Sequence, residues 1–337
     1  ESRLLNYMKW FSDKGFDVTV ICYKHDESIA LPKNVRVHKL NLKWVPKLFR
    51  NRYFSYLLTK ENIKEKFDFA LALFRTSHQH AVLGPGNHIG YLKAFDRPPR
   101  SPSDFEQIAM DHNCYNSSDV ILAASGVMAM EITELFNIPK NRVHTLHPPV
   151  NANRLANTSD SISKSRARFK LGIDPDAKVL AFVSTGNQKL KGVPFLLELL
   201  KNLPGVKLLV VGSRVRSSSK DVINLGFHED PSLIYRAADA TVLPSIYEAF
   251  GQVVAESLVC GTPVLVSEMV GAKEILTKTN GKTLPVNDYS SWNQAINDID
   301  LKPEFGDPLI DLEQFSVDCH MRKLCAFVGL NIPNTTA

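Results

Sequence analysis

Two α/β domains in tandem, each built on a mostly parallel sheet, are the fold class this sequence predicts. Three observations carry that reading. Short apolar, β-branched runs alternate with helix-period segments along the chain. The alternation restarts after a polar stretch, Asn151 to Ser165, nearly devoid of large apolar residues. The length of 337 residues suits about two domains of ordinary size. Tandem domains of this kind set the ends of two parallel sheets opposite one another, and ligands favour such a crevice. Two facing domains with a central cleft are therefore expected.

Leu4, Leu5, Met8, Trp10 and Phe11 recur at helical spacing over residues 1–14, with Gly15 placed to cap. FDVTVICY at 16–23 reads as a strand, followed by strands at 35–40, 67–74 (buried) and 119–125. Helices are expected at 53–66, 103–117 and 127–136. An α/β domain normally opens on a strand, so one strand and its loop are expected ahead of residue 1. After the polar stretch, strands are expected at 179–184, 206–211, 222–225, 240–243 and 263–267, with helices at 193–202, 231–238 and 251–260. The domains are placed at 1–153 and 170–300, and 301–337 forms a tail packing back towards the first.

Composition narrows the function class. Apolar residues at 44% and charged residues at 22% exclude a disordered or disulfide-stapled chain. The net charge of +5 is too mild for nucleic-acid binding but permits an anionic surface or a phosphorylated small molecule. All of it falls in residues 1–153, with 20 basic and 15 acidic residues. Cys22, Cys114, Cys260, Cys319 and Cys325 are scattered, without the paired spacing of a zinc site, and read as core thiols in a reducing compartment. No run reaches the length of a membrane span, and ESRLLNYMKWFSDKG lacks the apolar core of a signal peptide. A cytoplasmic protein is expected.

The chemistry concentrates in residues 242–267, VLPSIYEAFGQVVAESLVCGTPVLVS. A strand ends at Pro244, Glu248 follows in a loop, and Gly251 opens a helix carrying Glu256. Backbone N–H groups at such a helix start suit an anion, and a carboxylate suits a ribose or sugar diol. A surface loop residue and a solvated helix face are the structural alternative. In VSTGNQKLKGVPFLLELL, residues 183–200, Lys189 and Lys191 flank a helix start, which suits a diphosphate or is an ordinary solvated pair. In GPGNHIGYLKAF, residues 84–95, His88 follows three turn-forming residues in an expected loop. It is either a hydrogen-bonding group for a hydroxyl or phosphate or a satisfied loop histidine. A metal cluster of His78, His80 and His88 is disfavoured.

PSIYEAFGQVVAESLVCGTPV resembles the Glu-x7-Glu segment of the retaining glycosyltransferases of family four, and the likeness extends over roughly 119–285. The resemblance implies two facing Rossmann-like domains of the GT-B type, no divalent metal and no cofactor. The donor would be a nucleotide diphosphate sugar, with a uridine diphosphate sugar favoured. It also implies that Glu256 holds the ribose and Glu248 approaches the donor sugar. Phe250, Gly251, Gln252 and Val253 would line the diphosphate and sugar through their backbone, and Gly271 would approach the nucleoside. Lys191 matches the family's Lys-Gly pair. Five residues earlier the family carries an arginine where this chain has Gly186, leaving Lys189 as substitute cation without the guanidinium fork. NHIGYL is similar to a segment of bacterial lipopolysaccharide-core glycosyltransferases, which implies His88 near donor sugar or acceptor hydroxyl.

Residues 40–66 interleave Lys43, Lys47, Arg50, Arg52 and Lys60 with Trp44, Leu48, Phe49, Tyr53, Phe54 and Tyr56. Such a segment lies at an anionic membrane surface, here the inner face of the cytoplasmic membrane, or is a helix whose apolar face is core. Sugar transfer to a saccharide or lipid-linked glycan such as lipopolysaccharide core is the expected function. A non-catalytic sugar- or nucleotide-binding protein and a nucleotide-sugar epimerase are the alternatives.

Overall fold

The computed structural model describes residues 2–84, 86–152, 155, 162–228, 230–299 and 307–333. Much of the polar stretch 151–165, and residues 301–306 and 334–337 of the expected tail, lie outside them. The described residues form two compact units. One runs to His147 and resumes at Val317; the other runs from Pro148 to Ser316.

In the first unit the order is α1 (Ser2–Asp13), β1 (Val18–Cys22), β2 (Val35–Lys39), α2 (Arg50–Lys60), α3 (Ile63–Lys66), β3 (Leu71–Ala72), β4 (Ala81–Leu83), α4 (His88–Ala94), α5 (Pro102–Ser117), β5 (Val120–Ala123), α6 (Gly126–Phe136) and β6 (Val143–Thr145). β1 and β2 pair in parallel, and β3-β4-β5-β6 form a second parallel sheet. Tyr7 and Trp10 of α1 bury against Leu83, Leu122 and Leu146 of this sheet region. The helix Val317–Val328 adds Met321, Leu324 and Cys325 to the same cluster.

Two sequence expectations are corrected here. The buried strand at 67–74 shrinks to Leu71–Ala72, half-buried, because β3 is an edge strand bonded only to β4. The single helix at 53–66 breaks where Asn62 takes a left-handed backbone, φ 52°.

The second unit contains α7 (Lys164–Lys170), β7 (Lys178–Ser184), α8 (Val193–Leu200), β8 (Val206–Gly212), β9 (Val222–Gly226), α9 (Pro231–Ala237), β10 (Ala240–Leu243), α10 (Gln252–Val259), β11 (Val264–Ser267), β12 (Gly281–Leu284) and α11 (Tyr289–Asn297). The closing helix of the first unit is thus α12. The six strands are all parallel, in the order β12-β11-β10-β7-β8-β9. Both faces are covered, which is why the strands read as continuous apolar runs. Leu180 and Phe182 of β7 pack with Leu196, Leu199 and Trp292 on one face. Their neighbours Val179 and Ala181 pack with Ala167, Ile234 and Ala237 on the other.

The chain builds outward from β7 to β8 and β9, then returns so that β10 lies on β7's other side. The loops leaving the carboxyl ends of β7 and β10 therefore diverge. In an open parallel sheet that divergence makes the crevice where ligands bind.

Candidate active site

The loop after β7 carries Gly186, Lys189 and Lys191; the loop after β10 carries Glu248 and Gly251. Their backbones touch directly. Ile246 N–H donates to the Leu190 carbonyl at 2.8 Å. A Cβ on Gly192 would stand 2.0 Å from the Pro244 carbonyl oxygen, so only glycine permits this approach. The third wall is the turn after β11, where Gly271 N–H donates to the Glu248 carbonyl at 3.0 Å and Ala272 N–H to the Phe250 carbonyl at 2.7 Å. Gly271 thus spends its N–H bracing the Glu248 loop.

Within this frame Lys191 Nζ forms an ion pair with Glu248 Oε2, bridging 57 residues of sequence. Both side chains keep partial access to solvent, 19% for Lys191 and 17% for Glu248. Lys189 is exposed, and among the described residues it has no ion pair. Gly186 lies against Lys191: a Cβ there would meet Lys191 Cε at 3.1 Å. An arginine at 186 would compete with Lys191 for space.

Gly251 is the N-cap of α10 at φ 98°, a left-handed backbone that glycine tolerates. The first-turn N–H groups of Gln252 and Val253 have no intrahelical acceptor and form the positive end of the helix. Gln252 sends its side chain instead to the Pro149 carbonyl, 2.8 Å away. Phe250 is buried in the core at 3% exposure, so only its backbone is available to a ligand. Glu256 lies one turn and a half into α10, where the Tyr235 hydroxyl donates to its Oε2 at 2.8 Å. Tyr235 is fully buried, and burial together with the Glu256 carboxylate pushes its phenol well above the ordinary range. Sequence reading missed this tyrosine; its apolar neighbours in PSLIYRAADA give no local signal of a polar partner.

His88 lies in the first unit and differs from expectation. It is the first residue of α4 and is buried at 9% exposure, not part of an exposed loop. The Asn87 side chain caps this helix by accepting from Gly90 N–H. His88 N–H donates to Asp111 Oδ2 at 2.7 Å, and its Nε2 lies 2.8 Å from Asp104 Oδ1. Asp104 also takes the Ser101 and Arg100 N–H groups and Arg97; the Ser101 bond leads in holding its carboxyl far below the usual range. Asp111 pairs with Arg75, yet burial pushes its carboxyl up.

A separate cavity of about 530 Å³ opens in the first unit beside α2 and α5, lined by Arg52, Thr59, His78, Glu106, Asn113 and Ser117 among others. Among the described residues no group of three or more His, Cys, Asp or Glu is placed to hold a metal. No helix there is long and apolar enough to cross a membrane. Cys114, Cys260 and Cys325 are buried thiols as expected, while Cys22 and Cys319 are only half-buried.

Residues 1–154 match the family model Glycosyltransferase Family 4, and residues 163–307 match Glycosyl transferases group 1. A probable transglycosylase of Burkholderia thailandensis is 29% identical over 272 residues, 80% of this chain and 74% of that protein. The chain spans about half the length of other curated relatives it matches, 55% and 47% in two cases. The crystal structure of WaaG, a glycosyltransferase involved in lipopolysaccharide biosynthesis, superposes with a TM-score of 0.77 at 17% identity, over 97% of this chain and 95% of WaaG. Anabaena HepE, solved in complex with UDP and glucose, gives 0.66 at 15% identity, again over 97% and 95%. Matched in both units by adjoining glycosyltransferase models and sharing the fold throughout, the chain is a glycosyltransferase of the GT-B type related to family four.

Proposed function

We propose that the chain transfers a sugar from a nucleotide diphosphate sugar, by preference a uridine diphosphate sugar, to a saccharide or lipid-linked glycan, with retention at the anomeric carbon. The observation that carries this reading is the Lys191–Glu248 pair at the β7/β10 divergence, beside the open amides of α10. An incoming diphosphate exchanges Glu248 for its own oxygens on Lys191, with Lys189 and the amides of Gln252 and Val253 sharing the charge. Glu248, released, turns to the donor sugar, and Glu256 takes the ribose. Negative charge grows on the departing diphosphate, so the same cations stabilise the transition state more than the ground state. The leaving phosphate oxygen then receives the acceptor proton on the face it vacates. His88, its Nε2 held by Asp104, enters only through its Nδ1 edge. HepE's UDP and glucose support the donor class, and WaaG's part in lipopolysaccharide biosynthesis supports a glycan acceptor.

The first unit supplies the acceptor side of the proposal. The cavity beside α2 is rich in hydroxyl and amide groups suited to a saccharide. Residues 28–60 contain no acidic residue but eight Lys and Arg. Trp44 at 69%, Leu48 at 54%, Phe49 at 51% and Tyr56 at 55% stand exposed, while Leu42, Val45 and Phe54 fill the core. Cations among outward aromatic groups suit an anionic bilayer surface, which supports a position at the inner face of the cytoplasmic membrane.

Gly186, where the family carries arginine, favours a second reading: a binding module that holds donor without turnover. Incubating the full chain with UDP-glucose and following UDP release separates them. Slow release, accelerated by a glycan and lipid extract, is expected; tight binding with no release under any acceptor selects the binding module. Co-sedimentation with phosphatidylglycerol vesicles but not phosphatidylcholine vesicles is expected, and equal behaviour with both removes the membrane surface from the proposal.

A further inference from the structure

The geometry points to Tyr235 as a positioning residue for nucleoside recognition: its hydroxyl fixes one oxygen of Glu256 so that the carboxylate presents its other edge to the ribose diol. This rests on the assignment of the ribose to Glu256 proposed above. A carboxylate at the end of a two-methylene side chain has several rotamers, and Glu256 is only partly buried. Ordering it at the moment of binding would cost affinity. The 2.8 Å bond from Tyr235 removes that freedom beforehand.

The tyrosine is itself held in place. Its ring is fully buried with Ala237, Ala238 and Leu258 among the fully buried residues of the same unit. Its carbonyl accepts from the Thr262 hydroxyl at 2.6 Å. Thr262 sits just beyond α10, so the segment that follows Glu256's helix returns to clamp the residue that orients Glu256. Ser257, which follows Glu256, ties the same corner by donating to the Thr262 carbonyl at 2.9 Å while its hydroxyl oxygen lies 2.8 Å from Thr241 Oγ1. α9, β10 and α10 thereby share one buried polar corner whose outlet is the Glu256 carboxylate. The phenol's upward shift keeps it a donor at every working pH, so the arrangement is permanent and does not switch.

A merely structural tyrosine would affect stability and all ligands alike. A positioning tyrosine affects only the part of binding that passes through the ribose hydroxyls. The test is titration calorimetry of the full chain with UDP and with 2′,3′-dideoxy-UDP. The wild type is expected to prefer UDP by about a hundredfold, two hydrogen bonds to a charged group. Glu256→Ala should abolish that preference. Tyr235→Phe should cut it about tenfold while leaving dideoxy-UDP affinity unchanged. An undiminished preference in Tyr235→Phe overturns the positioning role. A wild type indifferent to the diol, or an undiminished preference in Glu256→Ala, instead overturns the ribose assignment. If thermal melting shows that Tyr235→Phe does not fold, Thr262→Val serves in its place. It loosens the tyrosine backbone and is expected to lower the preference about threefold; no change there overturns the role equally.

Discussion

The two units each gather acids beside cations, and the contrast between the clusters shows what distinguishes a site from a scaffold. In the first unit Asp104 and Asp111 are 4% and 0% exposed, and each receives several fixed donors from α4, α5 and the loops beside them. Capping, helix starts and ion pairing consume their lone pairs, leaving little for a ligand. In the second unit Lys191 and Glu248 have chiefly each other, at the divergence of two loops, next to first-turn amides of α10 that have no intrahelical acceptor. A pair with one mutual bond and partial access to water can exchange partners cheaply; a buried, fully bonded network cannot.

The largest effect should follow from breaking that distinction directly. Lys191→Ala is expected to lower UDP-sugar turnover by about a hundredfold or more while moving the melting temperature little, because charge stabilisation at the leaving group is removed but little burial. Glu248→Ala should behave alike. Asp111→Ala should do the reverse and destabilise the first unit by about 3 kcal/mol in urea unfolding, since Arg75 and the His88 N–H lose their acceptor. Full turnover by Lys191→Ala, or a silent Asp111→Ala, would dissolve the contrast.

A smaller effect concerns pH. His320 of α12 accepts from the Tyr7 hydroxyl and donates from Nδ1 to the His147 carbonyl, 2.8 Å away. Burial pushes its imidazole down to about 4 from 6.5. Between these values the unfolded chain binds a proton that the folded chain refuses. Stability is therefore complete above pH 6.5 and falls as pH drops towards 4, by up to ~1.4 kcal/mol per unit. His320→Gln should flatten this slope in urea titrations; an unchanged slope assigns it to other groups. The smallest effect is Lys189→Ala, where an exposed, screened charge should raise the donor KM about threefold and leave kcat alone.

Much of this was legible locally. β7, β8 and β10 show as apolar runs because both faces of their sheet are covered, and α10 shows through Gly251, Glu256 and Gly261. β4 and β6 escaped because strands of three residues carry too little pattern, and β12 because Gly281-Lys282-Thr283-Leu284 is a partly exposed edge strand with no apolar run. α4 escaped because the glycine and proline before His88 read as a loop, while its cap at Asn87 was passed over. The Asp104 partner of His88 escaped because it stands sixteen residues on and nothing nearby in the chain announces it.

By itself the sequence determined the longer apolar strands and most of the helices, and it placed Glu248 and Glu256 on either side of one helix start, because those features depend on neighbours a few residues away. Only the tertiary structure decided that Lys191 meets Glu248, that Tyr235 holds Glu256, and that His88 is bound within the first unit. The reason is strand order: β10 returns to the far side of β7, and this long-range choice, made by packing two covered faces, determines which loops become neighbours.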